Sequence, residues 1–222
     1  MMKISFVSMV LIGAVLSAVS LADNVSTPAV STITLAQLNQ AIPARASDTS
    51  CTAVNTPSEC APNSRAATAI NKAIAKYGVT GRGEIIAIIS LMAFESADWQ
   101  YNINHFPGRA GQGTRAMLMY NWIEQYAKQI HAQDASKLLA TAGAGNTEAM
   151  NKVRKLVLGD DDSFGAAFWY LVTAAPAYHN SPSKLREGNV EDFKDYVVNG
   201  VGAGWENERQ SVWARVNNAL SA

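Results

Sequence analysis

Glu84-Ile85-Ile86-Ala87-Ile88-Ile89-Ser90-Leu91-Met92-Ala93-Phe94-Glu95 is the stretch on which the fold turns. Its isoleucines, with Leu91, Met92 and Phe94, cover every face of a helix. A helix over 83–96 with that pattern has no polar side to offer to water and is expected at the centre of a domain. Before it, Ile70, Ala73, Ile74 and Tyr77 recur at helical spacing over 66–77, and Gly78 stops the run. A Gly-Arg-Gly turn (81–83) joins the two.

Beyond Glu95 the chain runs through a glycine-punctuated loop, 101–114. Helical patterns then follow over 115–131, 134–141, 147–157, 163–174, 190–198 and 205–220. Asp160-Asp161-Asp162-Ser163 offers N-cap residues ahead of the aromatic run 164–170. No alternating strand pattern of useful length and no internal repeat occurs. The expectation is a mainly α domain over 64–222. Residues 23–63, rich in Ser, Thr, Pro and Ala with one short helical stretch near 34–42, are expected to form an irregular arm ending in a disulfide loop.

Residues 1–22 are set apart. Lys3 precedes an apolar run, 6–16, and Ser20-Leu21-Ala22 places small residues at the −3 and −1 positions of a cleavage site, the pattern of a secretory signal peptide. A membrane anchor needs about 20 apolar residues. Cys51 and Cys60 are the only cysteines. Separated by a turn-rich segment, they are expected to pair, as an even number of cysteines in an exported chain does. Asn24-Val25-Ser26 is a glycosylation sequon. These features point to an extracellular protein with no membrane attachment after cleavage. The chain carries 18 basic and 18 acidic residues, which argues against nucleic acid as a partner, since a binder of phosphates carries a basic excess. A monomer is expected.

The central helix ends in a carboxylate. Glu95 follows an apolar run, where desolvation and the negative end of the helix dipole both favour the neutral acid. A carboxyl so placed can act as a general acid; equally, it can be an exposed glutamate just past a core helix. Asp98, three residues on, is expected beside it at helical spacing.

Glu95-Ser96 at the end of a buried helix, followed by Gly111-Gln112-Gly113-Thr114-Arg115-Ala116-Met117, resembles the lysozyme-like superfamily of glycan-cleaving proteins, which includes lytic transglycosylases and muramidases. Val197-Val198-Asn199-Gly200 with Glu208-Arg209-Gln210-Ser211-Val212-Trp213 is similar to the pattern near the end of phage lysozyme and plant chitinase branches. The resemblance covers roughly 66–220. It implies a lysozyme-like helical domain, Glu95 as catalytic acid, and a polysaccharide of N-acetylhexosamines as substrate. No second carboxylate follows in the loop 101–114. Either a distant acid (Asp160, Asp161, Asp162 or Glu124) serves, or the enzyme works with one, as the likeness to lytic transglycosylases allows. Sugar binding uses flat rings and paired hydrogen bonds. Trp99, Tyr101, Asn104, Gln112, Thr114, Arg115 and Tyr120 are the local candidates, with Tyr178, His179 and Asn199 approaching from the C-terminal half.

Other chemistries are less well served. The histidines (105, 131 and 179) lack metal-ligand spacing, so neither a metal nor another cofactor is expected. The loop 111–113 lacks the lysine of a phosphate loop, and no Gly-x-Ser-x-Gly elbow occurs. The rival to an enzyme is a secreted glycan-binding or host-interaction protein that kept the fold without turnover. The missing second carboxylate favours it.

Overall fold

The computed structural model describes residues 32–141 and 145–221. The signal-peptide segment 1–22 and the sequon at Asn24 lie outside the described residues. The described chain is helical, with two isolated bridges, Ile103 to Gly113 and Gly113 to Leu118, in place of any strand. None of its helices is long and apolar enough to cross a membrane.

The central helix, α3 (Arg82–Glu95), buries every residue from Gly83 to Ala93. Two helices precede it in the chain, α1 (Leu35–Ala41) and α2 (Asn63–Tyr77). Six follow: α4 (Tyr120–Ile130), α5 (Ala132–Thr141), α6 (Thr147–Lys155), α7 (Asp160–Thr173), α8 (Val190–Asp195) and α9 (Asn207–Ser221). α3 packs against α9 and α7, α2 lies along α7, and α1 bridges α9 and α2. α2 turns Ala66, Ile70, Ala73 and Ile74 inward and ends on Gly78 in the left-handed conformation (φ 65°), which glycine adopts at no steric cost. α4, α5 and α6 pack on one another.

The expected helices are found, with shifted ends. The pattern over 115–131 becomes helical only at Tyr120, because Thr114 (φ 69°) and Met117 (φ 46°) hold the chain in tight turns. The run 190–198 is α8 followed by a π-helical turn, Tyr196–Val201. Asp160, Asp161 and Asp162 are not caps: Gly159 is the N-cap, and the three form the first turn of α7, where a helix favours negative charge. There they pair with Arg65 (2.6 Å), Lys72 (2.7 Å) and His131 (2.8 Å) respectively.

Cys51 and Cys60 are joined in a disulfide. The segment carrying them, however, is not an irregular arm laid outside the core. Ile33, Leu38, Ala41, Ile42 and Ala61 are all buried in the same core as α3, and Cys60 is buried beside Ala61 in the chain. Two asparagines on α2 hold this segment in place. Asn71 accepts from the Ile33 amide (2.7 Å) and donates to the Ile33 carbonyl (2.9 Å). Asn63 donates to the carbonyls of Leu38 (3.1 Å) and Ile42 (2.9 Å). α1 is itself fixed by a reciprocal cap between Thr34 and Gln37.

Candidate functional site

α3 stops at Glu95 because the next residues reverse the hand of the chain. Ser96 closes the helix, its hydroxyl donating to the Met92 carbonyl (2.6 Å) and accepting from the Trp99 amide (3.1 Å). Ala97 (φ 50°), Asp98 (φ 54°) and Trp99 (φ 65°) then make one left-handed turn without a glycine. Each such residue costs roughly 1–2 kcal/mol, so the turn persists only if its surroundings hold it. Trp99 is the anchor: fully buried, it donates Nε1–H to Asn63 (3.0 Å) and sets its ring edge-on to Phe164 (5.2 Å). The Trp99 carbonyl accepts from the Ala61 amide (3.1 Å) and from Arg115 (2.8 Å).

The reversed turn also moves Asp98 away from Glu95. Its carboxylate pairs with Arg215 on α9 (2.7 and 3.2 Å) rather than sitting beside Glu95 at helical spacing. The expected like-charge pair is therefore absent.

Four of the residues expected to touch substrate turn out to build the loop from inside. Arg115 is fully buried and donates to the carbonyls of Trp99, Tyr101 (2.9 Å) and Glu59 (2.6 Å), with its guanidinium over the Phe164 ring. Burial brings its pKa down to about 10, against the raising influence of Asp160. Thr114 is fully buried, and Gln112, also buried, donates to the Met117 carbonyl (2.9 Å). With Trp99, these side chains face inward and have no surface to offer a ligand; they shape the loop instead. Tyr178 and Asn199 both reach Asp195 (3.0 and 2.7 Å) at the end of α8, apart from the wall of the Glu95 cleft. Tyr101 and Asn104 are the members of the expected binding set that line that cleft, while Tyr120 opens α4 and His179 meets Glu84.

The cleft itself has a volume of about 240 Å³ and is walled by Glu95, Tyr101, Asn104, His105, Phe106 and Met117. Phe106 stands 89% exposed at its edge. Tyr101 and His105 lie ring to ring at 5.3 Å. His105 is steadied by Glu59 (2.8 Å), whose other oxygen accepts the amides of Asn102 (3.1 Å) and Ile103 (3.2 Å). Asn104 accepts the amides of Gly108 and Arg109 and so shapes the turn that presents Phe106. Sequence reasoning missed His105 and Phe106. A phenylalanine amid polar and glycine residues, with no helical neighbour to pack on, was the available signal.

Glu95 is one-fifth exposed at the cleft and meets Arg209 of α9 at 2.8 Å. Arg209 is buried, bonds Glu206 (2.7 Å), and lies 3.9 Å over the Phe94 ring. Burial raises the Glu95 pKa, and it outweighs the attraction of Arg209, which lowers it; the nearby Glu206 carboxylate raises it further. The arrangement is a single desolvated carboxyl facing an aromatic-edged cleft, able to hold or deliver a proton.

No family profile matches this chain, and no solved structure matches it. Among curated proteins, it is 40% identical over 92 residues to a bifunctional dioxygenase–epoxy alcohol synthase of Fusarium oxysporum (strain Fo5176). That alignment covers 40% of this chain and 7% of that protein. The chain thus spans under a tenth of the relative, and the chemistry in the relative's name belongs to the relative.

Proposed function

We propose that this chain is a secreted glycan-cleaving protein acting on a polymer of N-acetylhexosamines, peptidoglycan or chitin in type, with Glu95 as general acid. The observation that carries the reading is the carboxyl of Glu95: it is desolvated at the end of a buried helix and opens into a cleft edged by Tyr101 and Phe106. The resemblance to lysozyme-like glycan-cleaving proteins supplies the substrate class. Glu95 protonates the glycosidic oxygen as the bond breaks, and positive charge develops at the sugar carbon. Among the described residues, Glu95 is the one carboxylate in the cleft wall. The acetamido oxygen of the substrate then bonds to that sugar carbon in place of a second carboxylate, as the likeness to lytic transglycosylases allows, while the protonated glycosidic oxygen leaves with its sugar. The disulfide and the signal-like start support export.

One observation favours a second reading. The ion pair with Arg209 favours the charged form of Glu95, which suits a glycan-binding protein on the same fold without turnover. Glu95→Gln separates the two. General acid catalysis contributes roughly 10²–10⁴-fold. The variant is expected to lose that much of the rate of chain cleavage, read as turbidity loss of walls and as shortened oligomers with reducing or anhydro ends, while binding the same glycan. A Glu95→Gln protein as active as wild type removes Glu95 from the chemistry. A wild type that binds chitin or wall fragments and cleaves neither establishes the binding reading.

A further inference from the structure

A second cavity lies at the other end of α3. It measures about 440 Å³, between the first turn of that helix and the loop 180–187, within the range of small-molecule sites. Gly83 lets the loop lie directly on the helix, since a Cβ there would stand 1.7 Å from the Leu185 carbonyl oxygen. Asn180 (φ 53°) and Leu185 (φ 49°) are both held in the left-handed region to close it.

The charges in the wall are unequally satisfied. Arg186 pairs with Asp192 (2.8 and 3.1 Å), and Lys184 pairs with Asp195. Arg82 donates to the last carbonyls of α9, those of Asn217 (3.2 Å) and Leu220 (3.1 Å), and reaches Glu187 at 3.4 Å. Glu84 has no cationic Lys or Arg partner. Its Oε1 accepts from the Asn180 amide (2.7 Å) and from His179 Nδ1 (3.2 Å). Its Oε2 is buried without a partner, on a side chain only 6% exposed. Glu187 Oε1, in the same wall, is likewise buried and unpartnered. A buried acceptor left without a donor costs roughly 1–3 kcal/mol. The unmet demand of this cavity is for donors and for positive charge.

We propose that this cavity binds the primary ammonium group of a small ligand, held by Glu84 and Glu187. An ammonium brings three N–H donors; two go to the carboxylates, and the third has the Ser181 hydroxyl or the Asn180 side chain within the same wall. A divalent metal fits less well. His179 donates at Nδ1 to Glu84 and accepts at Nε2 from Asn180 (2.9 Å), so neither ring nitrogen is free to ligate. The remaining volume takes a sugar ring or a short aliphatic chain. The site stands apart from Glu95, eleven helical residues or roughly 16 Å away along α3, and does not rest on the cleavage reading.

The test is an NMR titration of the purified protein at about pH 7, where aliphatic amines are protonated, following the Asn180 amide and the His179 ring. Glucosamine and 1,4-diaminobutane are the probes, and N-acetylglucosamine, which lacks the charge, is the control. At least one amine is expected to shift these signals saturably, with the control silent. Glucosamine alone identifies an amino sugar, the diamine alone a linear amine. Glu84→Gln keeps an acceptor for the Asn180 amide and removes the charge, and is expected to weaken binding about tenfold or more. Glu187→Gln, on a partly exposed side chain, serves the same purpose if the first variant does not fold. Silence with both amines, shifts with the acetylated control equal to those with glucosamine, or binding unaltered in the folded variants overturns the proposal.

Discussion

Two opposing fields meet at Glu95. Burial at the end of α3 makes the charged form costly, Arg209 at 2.8 Å makes it favourable, and burial prevails. The consequence for stability has a definite sign. A carboxyl whose pKa is higher folded than unfolded binds its proton more tightly in the native state, so its contribution is full at low pH. It declines as pH rises from the ordinary carboxylate value of 4.5 through the raised one. Glu95→Gln has no proton to lose. Its melting temperature relative to wild type is therefore expected to improve as pH rises from 4.5 through the raised pKa and to level off above it; a difference that stays flat from pH 4.5 upward contradicts the raised pKa. The desolvation was legible in the sequence, because an unbroken apolar run must be buried and Glu95 ends it. Arg209 was not. It lies 114 residues further on, and nothing local ties an arginine of the last helix to a glutamate of the third.

The left-handed turn at 97–99 fixes where α3 ends and which way the loop leaves it. Replacing an exposed alanine by glycine ordinarily destabilises, since the unfolded chain gains freedom worth roughly 0.4–1 kcal/mol. At Ala97 (φ 50°) the folded side of the balance changes too, because glycine removes a strain of roughly 1–2 kcal/mol. Ala97→Gly is expected to match wild type or exceed it by up to about 1 kcal/mol in chemical denaturation. A loss of about 1 kcal/mol would mean that the turn is not strained. No glycine marks this turn in Ser96-Ala97-Asp98-Trp99, so helical spacing placed Asp98 beside Glu95, whereas the chain hands it to Arg215. The same blindness moved the start of α4. Periodicity reports which residues prefer one face of a helix, and the turns at Thr114 and Met117 are imposed by contacts instead, with Gln112 donating to the Met117 carbonyl and Arg115 clamping the loop. Trp99, Thr114 and Arg115 carry polar or amphipathic side chains that suit a sugar site and a buried network equally. Composition cannot separate the two; burial does.

At the scale of the whole molecule, residues 32–62 belong to the domain rather than accompany it. Their Ser-, Thr- and Pro-rich composition suggested an accessory arm, yet Leu38 is fully buried where α1 meets the α9 side of the core, and Asn63 binds the end of α1 to Trp99 through one side chain. That asparagine links three things: the N-terminal segment, the start of α2, and the strained turn beside Glu95. If the segment is structural, a cavity opened beneath α1 must be felt by the entire fold. Leu→Ala in a well-packed core costs roughly 2–5 kcal/mol, the spread reflecting how far neighbours relax. Leu38→Ala is expected to lower stability by an amount in that range, in one cooperative transition reported alike by far-ultraviolet circular dichroism and by tryptophan fluorescence, to which buried Trp99 and Trp169 contribute. An accessory arm would instead fray alone, leaving the main transition at the wild-type denaturant midpoint. A midpoint unchanged by Leu38→Ala therefore overturns the single-core description, and with it the argument that α1 helps hold the turn on which Glu95 depends.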